Sequence, residues 1–140
     1  SRGRLEKIVK SEHITNVRFL GSVDMAEVKT CIEACDFSVL SLSSNKLISL
    51  TLPAKFQTYL AAGKPILAVA NGEVKSLVES KDLGFVADPD DIDEIAAAIE
   101  RASKSTCTER VVWSKNMQTL LGSFAKRSTV EAIERALKVL

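Results

Sequence analysis

Residues 52–70 read LPAKFQTYLAAGKPILAVA, and this stretch gives the clearest indication of the fold class. Proline suits the first position of a helix and glycine suits its left-handed end, so the sequence predicts a helix that begins at Pro53 and ends at Gly63. The apolar run 65–70 then predicts a strand that is buried on both faces, as is typical of parallel sheets. The stretch is therefore one helix–strand unit of an α/β protein.

The start of this helix is suited to an anion. Residues 37–72 contain three lysines and no other charged side chain. Helix N-termini present unpaired N–H groups and a partial positive charge. Because a lysine in the first turn opposes the helix dipole, Lys55 costs some stability unless a phosphate group lies beside it. The N–H groups of Ala54 and Lys55, with the Lys55 ammonium, are thus predicted ligands of a pyrophosphate.

Strand and helix patterns alternate on both sides of this unit. The predicted strands are 17–20, 37–40, 65–70 and 85–87. Helices are predicted over 4–11, from an Asp24 cap to about Ala34, over 73–80 and after a cap formed by the run 88–91. The alternation predicts a doubly wound parallel sheet with right-handed crossovers, whose strands all end at the same edge, where ligands bind in such sheets.

Apolar spacing predicts which helix faces turn inward. The inward sets are Met25, Val28, Ile32 and Cys35 in one helix, and Ile92, Ile95, Ala96 and Ile99 in another. Residues 104–140 are predicted to form a helical tail, with helices over about 108–121 and 128–140; the second carries an apolar stripe of Val130, Ile133, Leu137 and Leu140. Trp113 is expected to pack against the end of the sheet or against a missing domain.

Composition narrows the class of protein. The chain has 140 residues, 46% of them hydrophobic, which fits one globular domain. Its net charge of +1 gives the surface as a whole no attraction for nucleic acid or anionic membranes. No apolar run is long enough to span a bilayer. The three cysteines form no disulfide framework, so Cys31 and Cys35 are expected to be small buried apolar residues in a cytoplasmic protein. No metal cluster is predicted, since Asp88, Asp90 and Asp91 are explained by a helix cap.

Five motifs in order resemble the C-terminal domain of glycosyltransferases with the GT-B fold, most closely retaining family 4. They are NVRFLG at 16–21, ACDFSVLSLS at 34–43, PAK with TYLAAGKP over 53–65, GE at 72–73 and GFV at 84–86. The resemblance implies a Rossmann-like donor-binding domain with C-terminal helices. Its donor would be a nucleoside-diphosphate sugar, and no cofactor or metal is expected.

The same resemblance implies that the chain is part of a longer protein. Only four strands are predicted where a complete nucleotide-binding half has five or six, so residues 1–140 are expected to lack the first strand and the N-terminal acceptor domain. The full enzyme would transfer a sugar to a glycan or lipid-linked acceptor in polysaccharide biosynthesis. Peripheral association of the full enzyme with a membrane is compatible with this function. The chain alone, with no catalytic residue of its own, is expected to be inactive.

The predicted donor-binding residues follow the strands or begin the helix after them. They are Gly21, Ser22, Ser43, Ser44, Pro53, Ala54, Lys55 and Thr58. The family often carries two glutamates eight residues apart, which correspond here to Leu50 and Thr58. The chain thus has no carboxylate at Thr58 to bind ribose. Alternatively, the side chain of Gln57 or Thr58 binds ribose through a weaker, neutral hydrogen bond.

The sequence is also compatible with two other functions. A sugar-nucleotide epimerase shares this architecture, but such enzymes place acidic and histidine side chains around the diphosphate, and residues 37–72 have neither. A non-catalytic module that binds a protein partner is favoured by the missing glutamates. Nucleotide binding at the predicted residues separates the donor-binding domain from the interaction module.

Overall fold

The computed structural model describes residues 2–43 and 52–124. Predictions for Ser44, Leu50 and the helix 128–140 lie outside these residues. The helices are α1 (Arg2–Ser11), α2 (Met25–Ala34), α3 (Ala54–Ala62), α4 (Glu73–Ser80), α5 (Ile92–Lys104) and α6 (Cys107–Phe124). The strands are β1 (Ser38–Ser41), β2 (Ile66–Val69) and β3 (Gly84–Ala87).

The three strands form a parallel sheet in the order β1-β2-β3. Their register places Ser41 beside Val69 and Val69 beside Ala87, so all three end level at one edge. The predicted α/β fold with a doubly wound parallel sheet and C-terminal helices is confirmed, and three of the four predicted strands are found within a residue or two of their expected bounds.

The central strand β2 is buried on both faces, as its unbroken apolar run predicts. Ile66 and Ala68 face a core that contains residues of α3, α4 and α6, whereas Leu67 and Val69 face α5. The first core includes Phe56, Leu60, Val74, Val78 and Met117, each with no exposed surface or nearly none. The sheet is therefore covered by helices on both sides.

The predicted strand 17–20 is wrong. This segment makes no backbone hydrogen bond to any other described segment, and β1 pairs with β2 alone. Val17 and Leu20 are 46% and 52% exposed, so neither face of the segment is buried. An apolar run becomes a strand only where a neighbouring strand receives its N–H and C=O groups, and no described strand does so here.

The inward face of α5 also differs from the prediction. Ala98 and Ala102 are buried against the sheet and Ile95 is partly buried, but Ile92, Ala96 and Ile99 are exposed. Small side chains let the helix backbone approach the sheet closely, so the alanines take the central contact and the isoleucines turn to the side. A pattern of large apolar residues alone does not reveal this preference.

Helix α6 packs along α3, and its Trp113 lies at the end of the sheet where the strands begin. The Trp113 ring contacts Phe37 and Phe85 at centroid distances of 5.8 and 5.1 Å. The prediction that Trp113 packs against the end of the sheet is confirmed. Along the same helix, the Ser114 hydroxyl donates to the carbonyl oxygen of Gly63 at 2.7 Å, which fixes α6 against the end of α3.

Helix boundaries mostly follow the predicted capping residues. Asp24 accepts from the Glu27 N–H at 2.8 Å and forms the expected cap of α2. Gly63 ends α3 at φ 65°, as predicted. Pro53, the predicted first helical residue, is instead the N-cap of α3, and the helix begins one position later at Ala54.

The prediction of buried cysteines is wrong. Cys31 is only partly buried and Cys35 is exposed at the end of α2. The reason is that α2 does not lie on the sheet; among the described helices it packs against α3, through the side that holds Val28 and Ile32. Both thiols, and that of Cys107, are free.

Candidate functional site

Polar side chains follow each strand at the edge where the sheet ends. Ser43 comes two residues after β1, Asn71 two residues after β2 and Asp88 directly after β3. The Asn71 amide Nδ2 lies 3.4 Å from both carboxylate oxygens of Asp88. Asp88 also accepts the Asp90 N–H at 2.9 Å. The ends of β2 and β3 are thus joined by a partly buried polar pair.

Of the helices that begin at this same edge, α3 and α4 connect paired strands. Because neighbouring strands are parallel, the helix between them must run back across the sheet, and its N-terminus lies where the preceding strand ends. This places the first turns of α3 and α4 near the ends of β1 and β2. Both N-termini lack a side-chain cap, since Pro53 and Gly72 occupy the N-cap positions.

The N-termini of α2, α5 and α6 each have a side-chain cap. Asp24 caps α2 and Asp91 caps α5. Thr106 accepts the Glu109 N–H at the start of α6, and its hydrogen bonds to Glu109 lower the pKa of that carboxyl. The absence of caps is therefore confined, among helices whose cap residue is described, to the two that begin beside β1 and β2.

The uncapped turns leave backbone donors without a described acceptor. In α3 the first helical bond runs from the Phe56 N–H to the Pro53 carbonyl at 2.9 Å, so the N–H groups of Ala54 and Lys55 stay open. In α4 the first such bond runs from Ser76 to Gly72 at 3.0 Å, which leaves the preceding N–H groups open. Gly72 adopts φ 70°, a conformation that favours glycine.

Charged groups of both signs lie at the edge. Lys55 is exposed in the first turn of α3 and forms no ion pair or hydrogen bond with a described residue. On the side of β2 and β3, the first turn of α4 carries Glu73 and the partly buried Lys75, and Asp88 follows β3. A ligand with both anionic groups and hydroxyl groups would find cations and hydrogen-bond acceptors at this edge.

A mainly apolar cavity of about 370 Å³ adjoins the first turns of α3. It lies between α3 and the end of α6, and Gln57 supplies the polar side chain in its lining; the other lining residues are Leu52, Leu60, Leu121 and Phe124.

The predicted site residues are only partly brought together. Pro53, Ala54 and Lys55 form the start of α3, and Ser43 follows β1. Thr58 lies one turn further along α3, in the groove between α2 and α3, and its hydroxyl donates to the Ala54 carbonyl oxygen at 3.1 Å.

The structure gives no support for placing Gly21 and Ser22 at the edge of the sheet. The prediction required segment 17–20 to be a strand of the sheet, and this segment is not in the sheet. Gly21 has φ 86° and lies against α1, where an added Cβ would be 3.0 Å from the Arg2 guanidinium. Their role in donor binding stays a prediction.

Sequence reasoning missed three residues of this edge. The sequence pattern assigns Asp88 to a helix cap and Glu73 to a family motif without a role, and it assigns no role to Asn71. The signal that could have found them is position, because the first polar residues after buried parallel strands lie together where the strands end.

Comparison with known proteins gives one match. The family model described as "Glycosyl transferases group 1" matches residues 1–120. No curated protein and no solved structure matches the chain. Within residues 2–43 and 52–124, no three His, Cys, Asp or Glu side chains are grouped so that they could hold a metal ion. None of the described helices combines the length and the hydrophobicity that a membrane-spanning helix needs.

Proposed function

The chain belongs to the group 1 glycosyl transferases, whose family model covers residues 1–120 of its 140, and on this premise we propose that its sheet edge binds the nucleoside diphosphate of a sugar donor. Membership makes the protein a glycosyltransferase, an enzyme that moves a sugar from a donor to an acceptor. It also favours this function over the epimerase and the interaction module.

The observation that carries the proposal is the pair of uncapped helix N-termini at the end of the sheet. Open N–H groups at α3 and α4 supply donors for phosphate oxygens, and the helix dipoles favour negative charge there. Lys55 adds a mobile ammonium at the α3 side. A diphosphate placed across the two helix starts would satisfy donors that no described residue satisfies.

The remaining groups suit the rest of a nucleotide sugar. Hydroxyl groups of ribose or sugar need acceptors, and Asn71, Glu73 and Asp88 offer them on the side of β2 and β3. These side chains can accept some, but not all, of the hydrogen bonds that glutamates at the positions of Leu50 and Thr58 would accept. The apolar cavity beside α3 offers a wall for the nucleobase, with the Gln57 amide as its hydrogen-bonding group.

The domain assignment is part of the same proposal. We assign donor binding to this chain and acceptor binding to a separate N-terminal domain of a longer enzyme, which transfers its sugar to a glycan or lipid-linked acceptor in the cytoplasm. The chain alone is then expected to bind donor without transferring sugar.

Replacing Lys55 tests the phosphate contact. Lys55→Ala is expected to weaken binding of a nucleoside diphosphate by about 1–3 kcal/mol, the range for a charge-assisted hydrogen bond. Binding of the matching nucleoside should not change, because it has no phosphate. Affinities would be measured by heteronuclear NMR titration of each variant.

The matched control is Lys64→Ala. Lys64 follows Gly63 at the opposite end of α3, where β2 begins, so its loss should leave diphosphate binding unchanged. If Lys55→Ala weakens the bare nucleoside as much as the diphosphate, Lys55 is not a phosphate ligand.

A further inference from the structure

Helix α1 and the segment that follows it hold many of the exposed apolar side chains. Neither core of the described chain includes a residue of α1, and no residue of α1 is buried. Among the described residues, five of the eleven exposed large hydrophobic side chains lie between positions 2 and 20; they are Leu5, Ile8, Ile14, Val17 and Leu20. Such a concentration of exposed apolar surface marks a region that contacts a partner.

The apolar residues of α1 lie on one side of the helix. Successive residues of a helix are separated by about 100°, so Leu5, Ile8 and Val9 fall within an arc of about 100°. These three residues are here called the α1 strip. On the same helical geometry, Arg4 borders the strip beside Ile8, and Arg2 borders it beside Val9. The helix thus presents a narrow apolar strip between two long cationic side chains.

The charge of this region is basic. Residues 2–20 contain five Arg or Lys side chains and two glutamates, although the net charge of the whole chain is only +1. Arg2 is paired with Glu6 at 2.6 Å. The other four cations are exposed and form no ion pair with a described residue; they are Arg4, Lys7, Lys10 and Arg18. The positive charge is therefore available to an anionic partner.

We propose that α1 binds an anionic membrane surface and lies in the plane of the membrane–water interface. The α1 strip enters the boundary between headgroups and acyl chains, and the bordering arginines contact lipid phosphates at headgroup level. Anionic lipid is the partner that uses both features of the helix. A nucleic acid would use the cations and leave the strip in water, whereas the α1 of a second copy would repel the first by its equal positive charge.

This attachment is peripheral and reversible. Helix α1 has 10 residues and is thus about 15 Å long, half the thickness of the hydrocarbon core of a bilayer. Because part of the attraction is electrostatic, binding should weaken as the salt concentration rises. No residue of α1 belongs to the proposed donor site, so this inference does not depend on donor binding.

Co-sedimentation of the 140-residue chain with lipid vesicles tests the proposal. The chain should bind vesicles made of an equal mixture of phosphatidylcholine and phosphatidylglycerol, and it should not bind vesicles of phosphatidylcholine alone. Arg4→Glu should lower the partition coefficient by about fivefold or more, since each cation near an anionic surface contributes on that scale. The matched control is Lys115→Glu, which makes the same change in net charge at an exposed position of α6 and should have a much smaller effect.

A second pair of variants tests the α1 strip. Leu5→Asn should lower the partition coefficient by about threefold or more, because it removes apolar surface that enters the membrane. The control Val111→Asn changes a residue of α6 with similar exposure, 46% against 49% for Leu5, and should leave binding unchanged. Neither residue is buried, so both variants should keep the urea unfolding midpoint of the unchanged chain.

The same measurements can overturn the proposal in several ways. Failure to bind the anionic vesicles, equal binding to both kinds of vesicle, or equal effects of Arg4→Glu and Lys115→Glu would each contradict it. A loss of binding in Arg4→Glu without any loss in Leu5→Asn would indicate attraction to polyanions in general. Self-association that Leu5→Asn abolishes, without vesicle binding, would assign the α1 strip to a second copy instead.

Discussion

Gly84→Ala is expected to destabilise the protein by at least about 3 kcal/mol, since no side chain fits at this position. A Cβ added at Gly84 would lie 2.1 Å from the carbonyl oxygen of Ile66 and 2.9 Å from its nitrogen. Those atoms belong to the central strand and cannot move without separating β2 from β3. The backbone of Gly84 also has φ 141°, which residues with a side chain rarely adopt.

Urea unfolding followed by circular dichroism measures this loss. Gly122→Ala is the control, because Gly122 lies in α6 with no heavy atom within 4 Å of the added Cβ. Alanine there should stabilise the protein by about 0.5–1 kcal/mol through helix propensity. Equal midpoints for Gly84→Ala and the unchanged chain would contradict the close pairing of β2 and β3.

Trp113→Ala is expected to cost about 3–5 kcal/mol, the range for removing a large buried aromatic side chain. The Trp113 ring fills the space beside Phe37 and Phe85 where the strands begin. Its Nε1–H donates to Asp82 Oδ1 at 2.9 Å. Asp82 has φ 49°, so this bond also holds a residue in a conformation that is strained for a side chain.

The variant Trp113→Phe separates packing from hydrogen bonding. It keeps most of the ring contact and loses the bond to Asp82, so we expect a smaller loss of about 1–2 kcal/mol in the same unfolding measurement. If both variants lose the same stability, the aromatic contacts are not what fixes α6 to the sheet.

The sequence predicted the helix–strand units around β1, β2 and β3 because local signals and burial agree there. The run 65–70 is apolar throughout, and β2 is buried on both faces. Gly63 and Asp24 act where their turn and cap chemistry requires. The local sequence pattern was therefore sufficient to predict a helix or strand wherever that element packs against its neighbour in the sequence.

The wrong or missing predictions concern residues whose contact partners are distant in the sequence, and a helix that packs closely on the sheet. Segment 17–20 has the composition of a strand, but a strand also needs a neighbour that sequence does not reveal. In α5, two alanines displaced the isoleucines from the contact with the sheet. Asn71 and Asp88 meet across 17 positions, a contact that only the register of β2 and β3 defines.

Binding of the donor diphosphate at the starts of α3 and α4 would be detected by an NMR titration of the chain with uridine and adenosine diphosphates. We expect the backbone amide signals of Ala54, Lys55, Glu73 and Val74 to shift, while those in the Asp91-capped first turn of α5 stay in place. Affinity should be weak, about −4 to −6 kcal/mol, because the carboxylates expected at Leu50 and Thr58 are absent. Unchanged signals at both helix starts up to millimolar diphosphate, or shifts confined to other surfaces, would show that these helix starts do not bind the diphosphate.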